Sequence, residues 1–122
     1  MKKIAILLSL AAFILTLASC GGPEADAKEM MKKIENYTAV AKKAAEDQKI
    51  DDKEVEELKN LAKELDEFEK EMTEKYKDDK EAEEKMKKFE EENKAELEKV
   101  YDEFFNAMMA LYECEGAENL EF

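Results

Sequence analysis

The sequence predicts an all-α protein, and the architecture that it favours is an elongated three-helix bundle. From residue 24 to residue 115 the chain contains neither proline nor glycine, the two residues that most often interrupt helices. Glutamate, lysine, alanine, leucine and methionine dominate the same stretch, and all five favour helix. The apolar residues recur at steps of three and four, which is the spacing of one helix face. A coiled-coil-like helical hairpin is the alternative that these observations leave open.

Three apolar series divide this stretch into helices that we expect over residues 24–47, 52–76 and 79–114. The first series is Ala27, Met30, Ile34, Tyr37, Ala41 and Ala44. The second series is Leu58, Leu61, Leu65, Phe68 and Met72. The third series is Ala82, Met86, Phe89, Asn93, Leu97, Val100, Phe104, Met108 and Leu111. At 1.5 Å per residue the third helix would be about 54 Å long and would overhang the other two.

Acidic caps predict the two breaks between these helices. Asp51 precedes the second helix and Glu54 follows three residues later, which is the spacing of a capping box. Asp78 and Glu81 have the same spacing before the third helix. Because neither break contains proline or glycine, both depend on the caps alone. Without a cap at Asp78, residues 52–114 would form one long rod.

The first twenty residues have the layout of an export signal. Lys2 and Lys3 give a positive start, residues 4–17 are almost wholly apolar, and two small residues, Ala18 and Ser19, follow. The apolar run is about 15 residues long, shorter than the roughly 20 that a helix needs to cross a bilayer. We therefore expect this segment to be removed and not to span a membrane.

The motif Leu17-Ala18-Ser19-Cys20 resembles the lipobox of bacterial lipoproteins. The resemblance covers residues 1–20 and implies that a signal peptidase cuts before Cys20, whose sulfur carries diacylglycerol. It divides the chain into a signal peptide (1–19), a lipidated cysteine with a short tether (20–23), an acidic helical domain (24–115) and a C-terminal tail (116–122). Two or more acyl chains would give stable attachment to a membrane.

The same resemblance implies a location in the cell envelope. In the enterobacterial pattern of lipoprotein sorting, aspartate after the cysteine retains the protein at the inner membrane, and this chain has Gly21 there. The outer membrane, facing the periplasm, is favoured if the organism has two membranes. In a bacterium with one membrane, the signal implies the outer face of the plasma membrane.

The charge of the chain limits its partners. The 18 lysines and 33 carboxylates that follow Cys20 leave a formal charge of −15. Nucleic acid is excluded, because binding a phosphate backbone requires a cationic surface. Anionic headgroups are repelled as well, so the lipid on Cys20 is the expected membrane contact. A basic or unfolded protein, or a second copy of the chain, is the expected partner.

The sequence lacks the residue types that several kinds of catalytic and metal site require. After Cys20 the chain contains no histidine, arginine, tryptophan or serine, so a serine or cysteine nucleophile with a histidine base cannot be assembled. The segment around Asp51 is similar to the second half of an EF-hand loop, but Lys43, Ala45 and Gln48 stand where that loop has two oxygen ligands and its turn glycine. We therefore predict no catalytic residues, no metal site and no cofactor.

The end of the third helix is the candidate partner surface. Its final turns are the most apolar of the helical domain, and the overhang would leave apolar side chains uncovered. The candidate binding residues are Phe105, Met108, Met109, Leu111 and Tyr112. In the alternative, the tail folds back through Leu120 and Phe122 and covers them.

The sequence leaves two functions open. The chain is a membrane-anchored lipoprotein whose helical domain binds another protein without catalysis, or it is a structural spacer or homo-oligomer of the envelope. Cys114 has two interpretations as well, because lipidation of Cys20 would leave it without a partner in the chain. It is either an incidental thiol near a helix end or half of a disulfide between two copies.

Overall fold

A computed structural model describes residues 22–120 of the protein. Within that range the chain forms four α-helices and a short 3₁₀ helix. They are α1 (Gly22–Ala45), α2 (Asp52–Lys75), α3 (Lys80–Glu92), α4 (Lys94–Tyr112) and the 3₁₀ helix (Ala117–Leu120). The predicted all-α fold class is confirmed, since residues 22–120 contain no strand and only one isolated bridge between extended residues.

The helices run up, down and up again. Asp26 near the start of α1 binds Lys75 at the end of α2, with 2.8 Å between Oδ2 and Nζ, so these helices are antiparallel. The end of α4 lies beside the turn that follows α1, because the N–H of Ile50 donates to the carbonyl of Glu115 at 2.8 Å. We call the end where α1 begins and α2 ends proximal, and the end where α1 and α4 finish distal.

Helix α1 is the central element of the bundle. It packs against each of the other three α-helices, most extensively against α4. Its buried side chains include Ile34, Tyr37 and Ala41, and the Tyr37 ring lies 5.6 Å from that of Phe104 on α4. This breadth of contact makes α1 the support on which the position of α4 depends. None of the helices within residues 22–120 combines the length and the hydrophobicity of a membrane-spanning segment.

The starts of α2 and α3 follow from local hydrogen bonds. The predicted capping box is confirmed at α2, where the Asp51 carboxylate accepts from the N–H of Glu54 at 2.8 Å and the Glu54 carboxylate accepts from the N–H of Asp51 at 3.0 Å. At α3 the predicted cap is wrong by one residue. Asp79 is the N-cap and accepts from the N–H of Ala82 at 3.1 Å, whereas Asp78 has a left-handed backbone (φ 64°) in the turn before it.

The segment expected as one helix over residues 79–114 is divided at Asn93. The side-chain amide of Asn93 and its backbone N–H both donate to the carbonyl of Phe89, at 2.8 and 2.9 Å. A side chain that takes a backbone carbonyl competes with the helical pattern and bends the chain. Asn93 is the polar member of the third apolar series, and it separates α3 from α4.

The tail folds back against the distal end. The N–H of Glu115 donates to the carbonyl of Gln48 at 3.0 Å, which ties the chain after α4 to the turn after α1. The 3₁₀ helix then packs between α2 and α4 and buries Leu120. The tail thus folds back through Leu120 as the alternative expected, but Phe105, Met109 and Tyr112 stay exposed, and Phe122 lies outside the described residues.

The N-terminal boundary of the helical domain lies slightly earlier than the sequence indicates. Gly22 and Pro23, placed in the tether, begin α1, and Pro23 is buried. Proline is favoured in the first turn of a helix, where its missing N–H costs no hydrogen bond. The predicted signal peptide and Cys20 lie outside the described residues.

Candidate partner-binding surface

Three large apolar side chains are exposed on one face of α4. Phe105 is 62% exposed, Met109 48% and Tyr112 40%, and they are the only large apolar side chains so exposed within residues 22–120. Their spacing of four and then three residues puts them on one side of the helix. We call these three residues the apolar stripe.

The other two predicted binding residues are part of the core. Met108 is 5% exposed and Leu111 is fully buried, so the expectation that they contribute to an exposed surface is wrong. Both belong to the third apolar series, which continues past Phe104, and the members of this series face α1. The turn after α1 and the 3₁₀ helix also close the distal end and cover residues that an overhanging helix would have exposed.

The stripe has an acidic border. Asp102 lies three residues before Phe105, Glu113 lies four residues after Met109, and both carboxylate side chains are exposed. No basic residue follows Lys99 in the chain, whereas six carboxylates do. The last turn of α4 therefore has no cation to balance the negative end of its helix dipole, unlike those of α1 and α2.

The electrostatic environment of Cys114 shows how these charges converge. Burial raises the pKa of the Cys114 thiol, and the carboxylates of Asp47, Glu113 and Glu54 raise that pKa further. These three acids come from the turn after α1, the end of α4 and the start of α2. Carboxylates from three elements thus act on Cys114, while Lys49 in the turn after α1 lies 4.0 Å from the Glu115 carboxylate, measured from Nζ to Oε1.

Cys114 itself is a buried structural residue. Its thiol donates to the carbonyl of Ala110, with 3.2 Å between Sγ and oxygen. A raised pKa keeps the sulfur in the unreactive thiol form. Burial also holds it away from a second copy, so the structure favours the incidental thiol over a disulfide between copies.

A shallow groove of about 300 Å³ lies between α1 and α4. Thr38, Ala39 and Val100 line it together with charged side chains of both helices. Lys42 on one wall binds Glu103 on the other, with 2.9 Å between Nζ and Oε2. Thr38 donates its hydroxyl to the carbonyl of Ile34 at 2.8 Å. With these polar groups already paired, the groove has the character of an ordinary helix-helix surface.

The described residues bring together no group of three or more histidine, cysteine, aspartate or glutamate side chains suited to a metal ion. No protein-family model, curated protein or solved structure matches the chain. The geometry shows an exposed apolar stripe with an acidic border, on a helix fixed by the core beneath it. Three of the five residues predicted from the sequence, Phe105, Met109 and Tyr112, are exposed in the structure. Helical periodicity was the signal that could have excluded Met108 and Leu111, because both stand in the core-facing series.

Proposed function

We propose that the protein is a membrane-anchored bacterial lipoprotein whose acidic helical domain binds another protein in the cell envelope without catalysing a reaction. The observation that carries the proposal is the exposure of Phe105, Met109 and Tyr112 on one face of α4. Exposed apolar groups of this kind mark contact sites when they are contiguous. The lipobox-like motif ending at Cys20 supports the anchor.

The position of the stripe suits an anchored binding protein. Cys20 precedes Gly22, the first residue of α1, by two residues. Lys42, which binds Glu103 just before the stripe on α4, lies 20 residues further along α1. That is a rise of about 30 Å at 1.5 Å per residue. With α1 standing upright on the membrane, an anchor at Cys20 would hold the stripe about that far from the membrane surface, where a protein partner can reach it.

Site-specific photo-crosslinking in cells tests this function. A photoreactive phenylalanine analogue replaces Phe105 in the full chain, and a matched variant carries it at Lys88, which is exposed on α3. We expect an adduct with a different protein from position 105 and none, or much less, from position 88. Equal adducts from both positions, or none from either, would contradict the binding function.

The same experiment addresses the envelope spacer or homo-oligomer. An adduct at twice the mass of the chain, formed from position 105 alone, would identify the stripe as a contact between copies. That outcome would replace the binding module with the homo-oligomer. Labelling Cys20 with radioactive palmitate in growing cells, with Cys20→Ser as control, tests the anchor separately.

A further inference from the structure

The border of the stripe restricts the chemistry of its partner. Asp102 and Glu113 form no ion pair within residues 22–120, whereas Glu103 on the opposite flank of α4 binds Lys42. The carboxylates of Asp102 and Glu113 are therefore free to pair with cations of a partner whose apolar ridge packs on the stripe. Such complementarity guides association and selects among partners.

A second copy of the chain meets the opposite situation. Two stripes packed face to face would bring Asp102 and Glu113 of both copies together, and the part of each copy that follows Cys20 carries a formal charge of −15. Like charges facing each other across an interface are destabilising. The lack of any basic residue after Lys99 means that the C-terminal part of a second copy could not supply the missing cations.

The dimensions of the stripe match one face of a helix. Phe105 and Tyr112 are seven residues apart, which is a rise of about 10 Å or two helical turns. An amphipathic helix presents its own apolar residues with the same spacing of four and three. Met109, in the middle, is an unbranched and adaptable side chain that can fit differently shaped apolar partners.

We propose that the apolar stripe and its acidic border form the docking face for a lysine- or arginine-rich amphipathic helix of another protein. The apolar ridge of that helix packs on Phe105, Met109 and Tyr112, and its cations pair with Asp102 and Glu113. This inference rests on the proposed function and specifies the class of partner.

A pair of designed peptides tests the charge and the apolar contact together. One is an 18-residue helix, roughly five turns long, with leucines on one face and lysines on the other, and its counterpart has glutamate at every lysine position. The full chain is held in nanodiscs of zwitterionic lipid, and empty nanodiscs report any binding of peptide to lipid. We expect the lysine peptide to bind with micromolar affinity at low salt, the glutamate peptide not to bind, and affinity to fall as salt is added.

Variants then locate the site. We expect Phe105→Ser and Met109→Ser each to weaken the lysine peptide about 10-fold or more, as truncation of a central interface side chain does. The double variant Asp102→Asn/Glu113→Gln should weaken it about 3-fold to 10-fold at low salt and reduce the salt dependence. Its control is Glu84→Gln/Glu91→Gln, which removes the same net charge from exposed positions of α3 and should leave the affinity within about 2-fold. Circular dichroism checks that every variant is folded.

Each outcome has a defined meaning. Equal binding of both peptides, or no binding of either, would overturn the inference, as would equal weakening by the α3 control. A dimer of the full chain that Phe105→Ser abolishes would overturn it in favour of a second copy. If crosslinking from position 105 still captures a different protein while the lysine peptide fails, the binding function stands and only the class of partner is wrong.

Discussion

The proximal and distal ends of the bundle treat apolar and charged groups differently. At the proximal end, Lys75 binds Asp26 at 2.8 Å and lies over the Tyr76 ring, 4.8 Å from its centre. Tyr76 is fully buried there. At the distal end, α4 finishes without a cation and leaves Phe105 and Met109 exposed. Both ends close the core, but within residues 22–120 only the distal end leaves large apolar side chains exposed.

The exposure of the apolar stripe at the distal end is not a packing defect. Directly beneath the stripe, Met108 and Leu111 are buried, and the turn after α1 and the 3₁₀ helix close the core around them. An incompletely packed helix end would expose residues of the core series as well. The exposed and buried residues instead alternate with the helical period, so the stripe is a separate face on a well-packed helix.

The largest expected effect is a change in the free energy of unfolding, and it should differ between two adjacent methionines. Met108→Ala should lower the free energy of unfolding by about 2 to 4 kcal/mol, because it leaves a cavity in the core. Met109→Ala should change it by no more than about 0.5 kcal/mol, since that side chain is half exposed. Urea denaturation followed by circular dichroism measures both. Similar losses for the two variants would mean that the stripe is part of the core and not a separate surface.

Closure of the distal end depends on Gly116. Its φ is +91°, and a Cβ there would lie 2.6 Å from the carbonyl oxygen of Ile50. Gly116→Ala should therefore cost about 2 kcal/mol in unfolding free energy and detach the tail. Faster reaction of Cys114 with a thiol reagent, identified by mass spectrometry of the labelled peptide, would report this opening.

The matched control for that variant is proximal. Gly22 also has a positive φ, +78°, but a Cβ added there would meet no other atom within 4 Å. Gly22→Ala should leave the reactivity of Cys114 unchanged. Equal acceleration in both variants would show that Gly116 acts through global stability and not through closure of the distal end.

The fold class could be predicted from the sequence because helix propensity and apolar spacing agree along the whole domain. The break at Asn93 could not, since one polar residue within an apolar series is usually tolerated. The hydrogen bond from its side chain to the Phe89 carbonyl accompanies the break, and this bond depends on the local rotamer. The position of the second cap was ambiguous for a similar reason, because Asp78 and Asp79 are adjacent and either can cap.

The candidate surface was predictable in part. Phe105 and Met109 fall outside the apolar series that faces the core, so periodicity alone indicates their exposure. Burial of Leu120 depended on the path of the tail, and that path follows from the hydrogen bonds of Glu115 with Gln48 and Ile50. Such long-range backbone pairing leaves no local pattern in a sequence.

A smaller effect is expected at the proximal turn between α2 and α3. Asp79→Ala should lower the free energy of unfolding by about 1 kcal/mol, because the N–H of Ala82 loses its capping acceptor. Asp78→Gly should leave stability unchanged or raise it by up to about 1 kcal/mol, since glycine adopts the left-handed backbone without strain. Urea denaturation distinguishes the two. A larger loss from Asp78→Gly than from Asp79→Ala would return the capping role to Asp78.

The smallest effect concerns the hydroxyl groups of two buried tyrosines, one at each end. The Tyr76 hydroxyl and the Tyr37 hydroxyl are buried and form no hydrogen bond within residues 22–120. Removing a buried polar group that lacks a partner relieves its desolvation cost, so Tyr76→Phe and Tyr37→Phe should each leave stability unchanged or raise it by up to about 1 kcal/mol.

Burial also raises the pKa of Tyr37, with a further contribution from Tyr112. A raised pKa in the folded state favours the neutral form, so the wild type loses stability as pH rises above about 10, where the tyrosine of the unfolded chain ionises. Tyr37→Phe should lessen that loss, and urea denaturation at pH 8 and pH 11 would measure it. An equal loss in the variant would show that Tyr37 ionises as readily in the folded protein as in the unfolded chain, and that burial does not protect its hydroxyl from water.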